Sequence, residues 1–342
     1  MNEELLKLKN KVDTTEMPLD LKEKIDGMIK RLERMSQHGN YSSEYEIVSK
    51  YINVVTEYPW NKSTTDNLDI KNAKDILDKE HYGIKDVKER ILEYIAAMNM
   101  NNTQQAPILC FVGLQGIGKT TMGKSIADAL GRKFIRISLG GMGSSLEIRG
   151  QSKATPDAEE GYIIKALIRL QTNNPVILLD EVDKISDEKS VRSSVMATLL
   201  ELLDPEQNST FFDHYMDYPV DLSKVMFILT ANNLGSISSA LLDRLEIIRF
   251  SSYTDEEKLI IAKEYIMPKV YATIGITKDL LQIEDDVWAN IIRPLGYEAG
   301  ILELERTLKG IARKAAKQIL LDNKTKVVVT NDNVKTYLPL GY

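Results

Sequence analysis

The sequence predicts an α/β protein in which a parallel sheet is flanked by helices, with a helical arm before it and a small, mainly helical domain after it. Between residues 108 and 250, short apolar runs alternate with segments of helical periodicity. This alternation is typical of parallel strands that are joined by covering helices. Residues before 60 and after 251 have apolar side chains at helical spacing without that alternation. We therefore expect an arm at 1–60, an α/β domain at 61–251 and a helical domain at 252–342.

The composition limits the possible classes of function. The chain has 342 residues, a formal net charge of −6, 43% hydrophobic residues and 27% charged residues. These proportions are typical of a globular protein, and the negative charge argues against nucleic acid as a partner. The N-terminus is polar and no apolar stretch has the length of a membrane span, so we expect a cytoplasmic protein without a membrane partner. Cys110 is the single cysteine, and the three histidines lack the spacing of a zinc site.

The arm is predicted to be helical throughout its length. Its apolar residues form three stripes at helical spacing, and Pro59 ends the third stripe. Between the arm and the sheet we expect polar linkers at 61–67 and 99–105, with helices at 69–79 and 84–98. Periodicity alone assigns no function to the arm.

Five apolar runs are the candidate strands of the sheet, at 108–112, 134–138, 176–179, 225–230 and 246–250. Ligands of parallel α/β sheets bind at the carboxyl ends of the strands. After the sheet, the pattern predicts helices at 255–270, 285–292 and 302–321, and a short strand at 327–329.

The first candidate strand is followed by Gly-Leu-Gln-Gly-Ile-Gly-Lys-Thr-Thr at 113–121 and then by a helical segment that ends at Gly131. This is the phosphate-loop pattern in its strand–loop–helix context, so the alternative of an ordinary glycine turn is disfavoured. Backbone N–H groups of such a loop and the N-terminus of its helix bind phosphate. We expect a nucleoside triphosphate to bind here, with Lys119 on its phosphates and Thr120 on Mg²⁺. The predicted nucleotide-binding residues of the loop are Gly113, Gly116, Ile117, Gly118, Lys119, Thr120 and Thr121.

A second apolar strand ends in two carboxylates, Asp180 and Glu181. Beside a phosphate loop, Asp180 is expected to hold Mg²⁺ and Glu181 to act as the base that activates water. An acidic turn after a strand is the simpler alternative. The strand at 225–230 is followed by Asn232, which either contacts water and the γ-phosphate or forms a turn. Arg244, before the last strand, taken alone resembles an exposed arginine in a salt bridge.

Several longer runs make the chain similar to one family. They include Tyr-Pro-Trp at 58–60, His-Tyr-Gly at 81–83, Arg-Ile-Ser-Leu-Gly-Gly at 136–141 and Leu-Asp-Pro-Glu-Gln-Asn-Ser-Thr at 203–210. With Glu-Ala-Gly at 298–300, these runs resemble the ATPase region of the Lon proteases, within the AAA+ class of ring ATPases. The resemblance covers nearly the whole chain.

The resemblance implies a hexameric ring that uses ATP to unfold proteins and thread them into a serine–lysine peptidase. Lys119, Thr120, Asp180 and Glu181 match the residues that bind and hydrolyse ATP. Asn232 matches the sensor of the γ-phosphate, and Arg244 matches an arginine finger that acts on the neighbouring subunit. The implied ligands are ATP and Mg²⁺. The implied partners are further copies of the chain or full-length Lon subunits, with unfolded proteins as substrates.

Four departures from the family pattern qualify these implications. First, the peptidase domain is expected to begin at about Tyr342, and the sequence has no Gly-Pro-Ser-Ala-Gly segment of the kind that carries the family's nucleophile. Second, the N-terminal recognition domain is expected to be missing. Thr155 and Pro156 replace the apolar pair of the pore loop, and Leu302 stands where a second sensor arginine belongs, with Arg306 one turn further on. A rival hypothesis is therefore a non-hydrolysing or weakly hydrolysing, nucleotide-gated regulatory protein. A clamp-loader-like or DNA-remodelling ATPase is disfavoured by the negative charge.

Overall fold

The computed structural model describes residues 3–37, 43–100, 107–155, 157–293 and 300–338, and it has the α/β architecture that the sequence predicts. The strands are β1 (Leu109–Val112), β2 (Phe134–Ser138), β3 (Val176–Asp180), β4 (Phe211–Asp213), β5 (Tyr218–Val220), β6 (Met226–Ala231), β7 (Glu246–Arg249), β8 (Leu281–Ile283) and β9 (Val327–Val329).

The helices are longest in the arm, around the sheet and at the end of the chain. They are α1 (Glu3–Thr14), α2 (Leu19–Gln37), α3 (Ser43–Glu57), α4 (Ile70–Glu80), α5 (Lys85–Met100), α6 (Lys119–Leu130), α7 (Leu146–Arg149), α8 (Tyr162–Leu170), α9 (Lys189–Leu203), α10 (Ser239–Leu242), α11 (Asp255–Ile260), α12 (Met267–Ile274), α13 (Trp288–Ile292), α14 (Leu302–Leu321) and α15 (Val334–Tyr337). Within the described ranges, every helix is too short or too polar to span a lipid bilayer.

Five strands form the central parallel sheet in the order β2-β3-β6-β1-β7. All five were predicted, with bounds that differ by one residue or not at all. Because β3, β6 and β1 are neighbours and run in the same direction, the residues that follow them meet at one edge of the sheet. That edge brings the phosphate loop, Asp180 and Asn232 together.

The two faces of the sheet are buried against different parts of the chain. Along β1, Cys110 and Val112 contribute to a core that includes the arm, whereas Leu109 and Phe111 contribute to a core that includes the helices after residue 251. Both sets are at most 5% exposed, as expected for strands covered on both faces.

The arm packs on a small antiparallel hairpin, β4–β5, which the sequence analysis did not predict. The Tyr51 hydroxyl donates to the carbonyl of Met216 at 3.0 Å, and the Trp60 ring packs edge-on against Tyr218 with 5.9 Å between centroids. Strands of three residues are too short to show an alternating pattern, so only tertiary packing reveals them.

The segment after residue 251 is helical, as predicted. Thr254 and Glu257 form a capping box at the start of α11. The single helix predicted at 255–270 is interrupted by a π-helical stretch, Ile261–Ile266, before α12. Helix α14 and strand β9 have the predicted bounds, and β9 pairs in parallel with β8, which was not predicted. The boundaries between the three predicted parts stay a prediction.

Candidate nucleotide-binding site

The phosphate loop turns sharply between β1 and α6. Gly116 and Gly118 have φ angles of +75° and +96°, in the left-handed region that residues with a Cβ atom rarely adopt. A Cβ atom at Gly116 would also lie 2.9 Å from the Cβ of Leu302. Helix α6 begins at Lys119, directly after the loop, so its free backbone N–H groups face the end of the sheet.

A cavity of about 470 Å³ lies beside this loop. Loop residues 115–121 form one wall, and Asp180, Glu181, Thr230 and Asn232 form a second wall at the ends of β3 and β6. The remaining lining residues are Arg136 from β2 and Ile301, Leu302 and Glu305 around the start of α14.

The side chain of Lys119 is 9% exposed and reaches across the loop. Its amino group donates to the carbonyl of Leu114 at 3.0 Å, to Oδ1 of Asn232 at 3.0 Å, and to the carbonyl of Gly113. Burial lowers the pKa of Lys119, and the negative charges of nearby carboxylates, Asp180 first, oppose this shift. The structure thus joins the predicted residues Lys119 and Asn232, although 113 residues separate them in the chain.

Asp180 ends β3 and is 5% exposed. The Thr230 hydroxyl from the neighbouring strand β6 donates to its Oδ1 atom, and Nε of Arg136 lies 2.5 Å from its Oδ2 atom. Both carboxylate oxygens of Asp180 therefore have a side-chain partner.

Glu181 has a φ angle of +59° and a ψ angle of +46°, a left-handed conformation that is costly for a residue with a side chain. The Thr230 hydroxyl accepts a hydrogen bond from its backbone N–H at 3.0 Å, which helps to hold this turn. The carboxylate lines the cavity and forms an ion pair of 2.5 Å with Lys184. Turning the chain in this way directs Glu181 into the cavity rather than along the sheet.

Arg244 is the one predicted catalytic residue that lies outside the cavity. Its guanidinium donates to Oδ2 of Asp204 and to the carbonyl of Ala240, each at 3.1 Å. Its side chain is 39% exposed, so the guanidinium is accessible at the surface. Gly113 does not line the cavity directly, and contributes through the carbonyl that accepts from Lys119.

The donor set of the cavity fits a magnesium nucleotide. Thr120 and Asp180 offer hydroxyl and carboxylate oxygens, which are ligands that Mg²⁺ prefers, and the glycine turns leave backbone N–H groups for phosphate. In the described part of the chain, no group of three or more His, Cys, Asp or Glu side chains is placed to hold a metal ion. A metal in the cavity would therefore need phosphate and water oxygens in addition to these residues.

The predicted site residues did not include five residues that line the cavity, namely Gln115, Arg136, Thr230, Ile301 and Glu305. Arg136 and Thr230 lie inside runs that were identified as strands, and both side chains point to the neighbouring β3. The signal that could have identified Arg136 and Thr230 is a polar residue in an otherwise apolar strand. Both strands are neighbours of β3, which ends at Asp180.

The segment after residue 251 touches the phosphate loop directly. The backbone N–H of Ile301 donates to the carbonyl of Gly116 at 3.0 Å. A Cβ atom at Gly300 would lie 2.5 Å from the carbonyl oxygen of Gln115, so only glycine fits at this contact. Leu302 lines the cavity, whereas Arg306 pairs with Glu303 and does not reach it. Glu298 and Ala299 lie outside the described residues.

The loop at 151–161, which contains the altered pore loop predicted at 153–161, is held by hydrogen bonds to β4 and to the arm. The Asp213 carboxylate accepts from the backbone N–H of Gly161 at 2.8 Å, and Lys50 of the arm donates to the carbonyl of Ala158 at 2.8 Å. Thr155 is exposed, and Pro156 lies outside the described residues.

Comparison with known proteins gives two family matches and several close relatives. Residues 109–253 match the ATPase family associated with various cellular activities (AAA), and residues 272–328 match the Lon protease AAA+ ATPase lid domain. The chain is 45% identical to a Lon protease of Desulforamulus reducens over 317 residues, which cover 93% of the chain and 39% of that protein. It is 44% identical to a Lon protease of Clostridioides difficile over 340 residues, covering 99% of the chain and 42% of that protein.

Lon protease 1 of Bacillus subtilis is 43% identical over 335 residues, which cover 98% of the chain and 43% of that protein. The chain thus spans about two fifths of the length of the curated relatives that it matches. The AAA family model covers the strands of the central sheet, and the lid model covers most of the helical segment after residue 251. Over the residues that it spans, the chain is therefore the AAA ATPase and lid region of the Lon protease family.

Proposed function

We propose that this chain binds ATP with Mg²⁺ and hydrolyses it, as the AAA+ module that powers protein unfolding and translocation in a Lon-type protease. The observation that carries the proposal is the meeting of Lys119, Asp180, Glu181 and Asn232 around one cavity of about 470 Å³ at the edge of the sheet. Lys119 and Asp180 are buried, Glu181 and Asn232 are partly exposed, and each of the four is of the type that phosphoryl transfer requires.

The loop and Lys119 would bind the phosphates. Backbone N–H groups at the start of α6 and the Lys119 amino group all present positive charge to the cavity. When phosphate enters, Lys119 can exchange its hydrogen bonds with the loop carbonyls for charge-assisted bonds to phosphate oxygens, which are stronger. Thr120 and Asp180 would hold Mg²⁺, which neutralises and orients the phosphates when it is bound.

Glu181 would act as the general base toward the attacking water. Its backbone turn places the carboxylate in the cavity, and release from Lys184 leaves an oxygen free to accept a proton. The Asn232 side chain, which bonds to Lys119, is placed to orient that water or to contact the γ-phosphate. Both roles rest on the chemistry of these residues and on their match to the family motif.

Arg244 would complete the site of a neighbouring subunit. Its guanidinium is exposed and lies outside the cavity of its own chain, which fits a role in trans and not one in cis. An arginine finger of this kind can change the rate by orders of magnitude. Hydrolysis should then depend on assembly into a ring, as in the hexameric AAA+ ATPases that the chain resembles, with unfolded proteins as substrates in the cytoplasm.

One observation favours the rival, a nucleotide-gated subunit that hydrolyses ATP weakly or not at all. Leu302 lines the cavity where the family pattern has an arginine, and Arg306 is engaged by Glu303. The lid thus meets the phosphate loop through an apolar side chain and a backbone hydrogen bond, and its described residues that line the cavity, Ile301, Leu302 and Glu305, include no cation.

Steady-state ATP turnover, measured across a range of chain concentrations, separates the two proposals. We expect turnover per chain to rise with concentration, to vanish in Glu181→Gln, and to fall by about tenfold or more in Arg244→Ala with nucleotide affinity retained. Tight ATP binding with turnover no higher than that of Glu181→Gln would establish the rival instead. Turnover that is independent of concentration and equal in Arg244→Ala would contradict the role in trans.

A further inference from the structure

Arg136 is the one cation in the cavity besides Lys119 among the residues described as lining it. It lies on β2, two residues before Ser138, whose backbone is in register with Asp180 on β3. The side chain extends along the edge of the sheet and is 51% exposed, while its Nε atom approaches Oδ2 of Asp180 to 2.5 Å. Neither the phosphate-loop pattern nor the carboxylate pair draws attention to this residue.

The cation in direct contact with Asp180 is Arg136, whereas Lys119 acts on it only through space. The Lys119 amino group is committed to two loop carbonyls and to Asn232, and Thr230 supplies a neutral hydroxyl to the other carboxylate oxygen. Asp180 is 5% exposed, and a buried carboxylate is stabilised by a paired cation. Arg136 supplies that cation at 2.5 Å.

We propose that the Arg136 guanidinium and Mg²⁺ bind Asp180 alternately. The guanidinium binds Asp180 when the metal is absent and is displaced when the metal binds. This inference rests on the proposed binding of a magnesium nucleotide in the cavity. Mg²⁺ at about 2 Å from Oδ2 of Asp180 would lie within a few ångströms of the Arg136 guanidinium, and the repulsion between the two positive charges favours displacement of the arginine. An arginine cannot lose its proton, so it can leave the oxygen only by moving.

The exposure of Arg136 makes such a movement possible. Asp180 and Thr230 are buried in the sheet, but half of the Arg136 side chain faces solvent, so it can rotate away without unpacking the core. After displacement the guanidinium stays at the mouth of the cavity. Arg136 is therefore a positioning residue, which pairs with Asp180 and does not contact the reacting atoms.

Two effects of opposite sign follow for the nucleotide. Without Mg²⁺, Arg136 shields bound phosphates from the negative charge of Asp180, so its removal should weaken nucleotide binding. With Mg²⁺, Arg136 competes for the metal site, so its removal should leave binding equal or tighter. The ratio of the nucleotide Kd in EDTA to the Kd in saturating Mg²⁺ measures the coupling between metal and nucleotide. Substituting Arg136 should raise that ratio.

The test is titration of a fluorescent, hydrolysis-resistant ATP analogue into the full chain, in EDTA and in excess Mg²⁺. We expect the ratio to rise by roughly three- to tenfold in Arg136→Gln, on the scale of a partly exposed ion pair. Arg136→Lys, which keeps the charge but not the planar guanidinium, should give an intermediate ratio. Arg169→Gln changes an exposed arginine on α8 outside the cavity and should keep the wild-type ratio.

The outcomes distinguish this inference from the proposed function. An unchanged ratio in Arg136→Gln would overturn the inference, and a rise of both Kd values by one factor would identify Arg136 as an ordinary phosphate ligand. If thermal unfolding shows that Arg136→Gln does not fold, Arg136→Lys is used instead. A Kd ratio above that of the wild type then supports the inference, and an unchanged ratio overturns it. Nucleotide binding that is as tight in Lys119→Ala as in the wild type, or absent from both, would reject the proposed function itself.

Discussion

Two buried aspartates, in different regions of the molecule, have opposite surroundings. Asp180, in the cavity, is bound by the side chains of Thr230 and Arg136. Asp213, at the base of the loop 151–161, is fully buried and accepts from three backbone N–H groups, those of Gly161, Tyr215 and Met216. One carboxylate is held by groups that can rotate, and the other by groups that move only with the chain.

Because of this difference, Asp180 can exchange its side-chain partners for a ligand, whereas Asp213 holds two backbone segments together. A metal ion can replace a side-chain partner of Asp180 at a cost of one rotamer change. Replacing a backbone donor of Asp213 would require the hairpin β4–β5 or the loop 151–161 to move. The loop is tied further by Lys153, which pairs with Asp217 at 2.9 Å and lies over the ring of Tyr51 at 4.2 Å. We therefore assign chemistry to the first region and support to the second.

The largest effect that we expect in the cavity is that of Lys119→Ala on nucleotide binding. Removing a buried cation that bonds to phosphate should weaken ATP binding by roughly 4 kcal/mol or more, which abolishes detectable binding at micromolar concentrations. Titration of a fluorescent ATP analogue in the presence of Mg²⁺ measures this loss. Lys124→Ala, at an exposed position on the same helix, is the matched control and should bind as the wild type does. Unaltered affinity in Lys119→Ala would refute the phosphate-loop assignment.

The sequence was sufficient to predict the sheet, and its local signals identify candidate residues that the structure brings to one cavity. A phosphate loop is defined by the spacing of glycines and lysine within nine residues, and Asp180 and Glu181 by their place at the end of an apolar run. The five strands follow from the same apolar runs. Local pattern therefore predicted the elements on which the proposed phosphate binding rests.

The remaining features depend on contacts between distant segments. Arg136 is recognisable as a site residue only after β2 is placed next to β3, because its partner Asp180 is 44 residues further along the chain. The hairpin β4–β5 has strands of three residues, and it forms where the arm covers it. The contact between Gly300 and the phosphate loop likewise joins segments that no short-range pattern relates.

A smaller effect is expected at Asp213, whose ionisation should make the stability of the protein depend on pH. Burial raises the pKa of Asp213 from 3.8 to about 6, and the three backbone donors oppose that rise. The native state then binds more protons than the unfolded state between these values. The free energy of unfolding should therefore fall as pH rises through this window, by an Asp213 contribution on the order of 2 kcal/mol. Asp213→Asn removes the titration.

Chemical denaturation of the wild type and Asp213→Asn, at pH 4 and at pH 7, tests this difference. The loss of stability caused by the substitution should be greater at pH 4 than at pH 7, because the wild-type carboxyl stabilises the fold most when it is protonated. Asp213→Glu is the second comparison, since it keeps an ionisable group but displaces it. A substitution cost that is equal at both pH values would show that Asp213 is ionised in the native state throughout the range.

The smallest expected effect concerns the contact between the lid and the phosphate loop. Leu302 is 40% exposed and lines the cavity, so Leu302→Arg would place a cation at the start of α14, within the same cavity as Asp180. A cation there can interact with the γ-phosphate, and we expect ATP turnover to rise by about threefold or more, which is under 1 kcal/mol at the lower limit. Steady-state turnover at a fixed, high chain concentration measures the change.

The matched control is Leu320→Arg, at a position of the same helix that is 79% exposed and remote from the loop. It introduces the same charge and should leave turnover unchanged. If Leu302→Arg is as inactive as Glu181→Gln while still binding ATP, the lid contact of this chain does not limit hydrolysis, and the rival nucleotide-gated function gains support. If turnover rises in Leu302→Arg alone, a cation at the start of α14 acts on the cavity through its charge, and the absence of a cation at this position limits the wild-type rate.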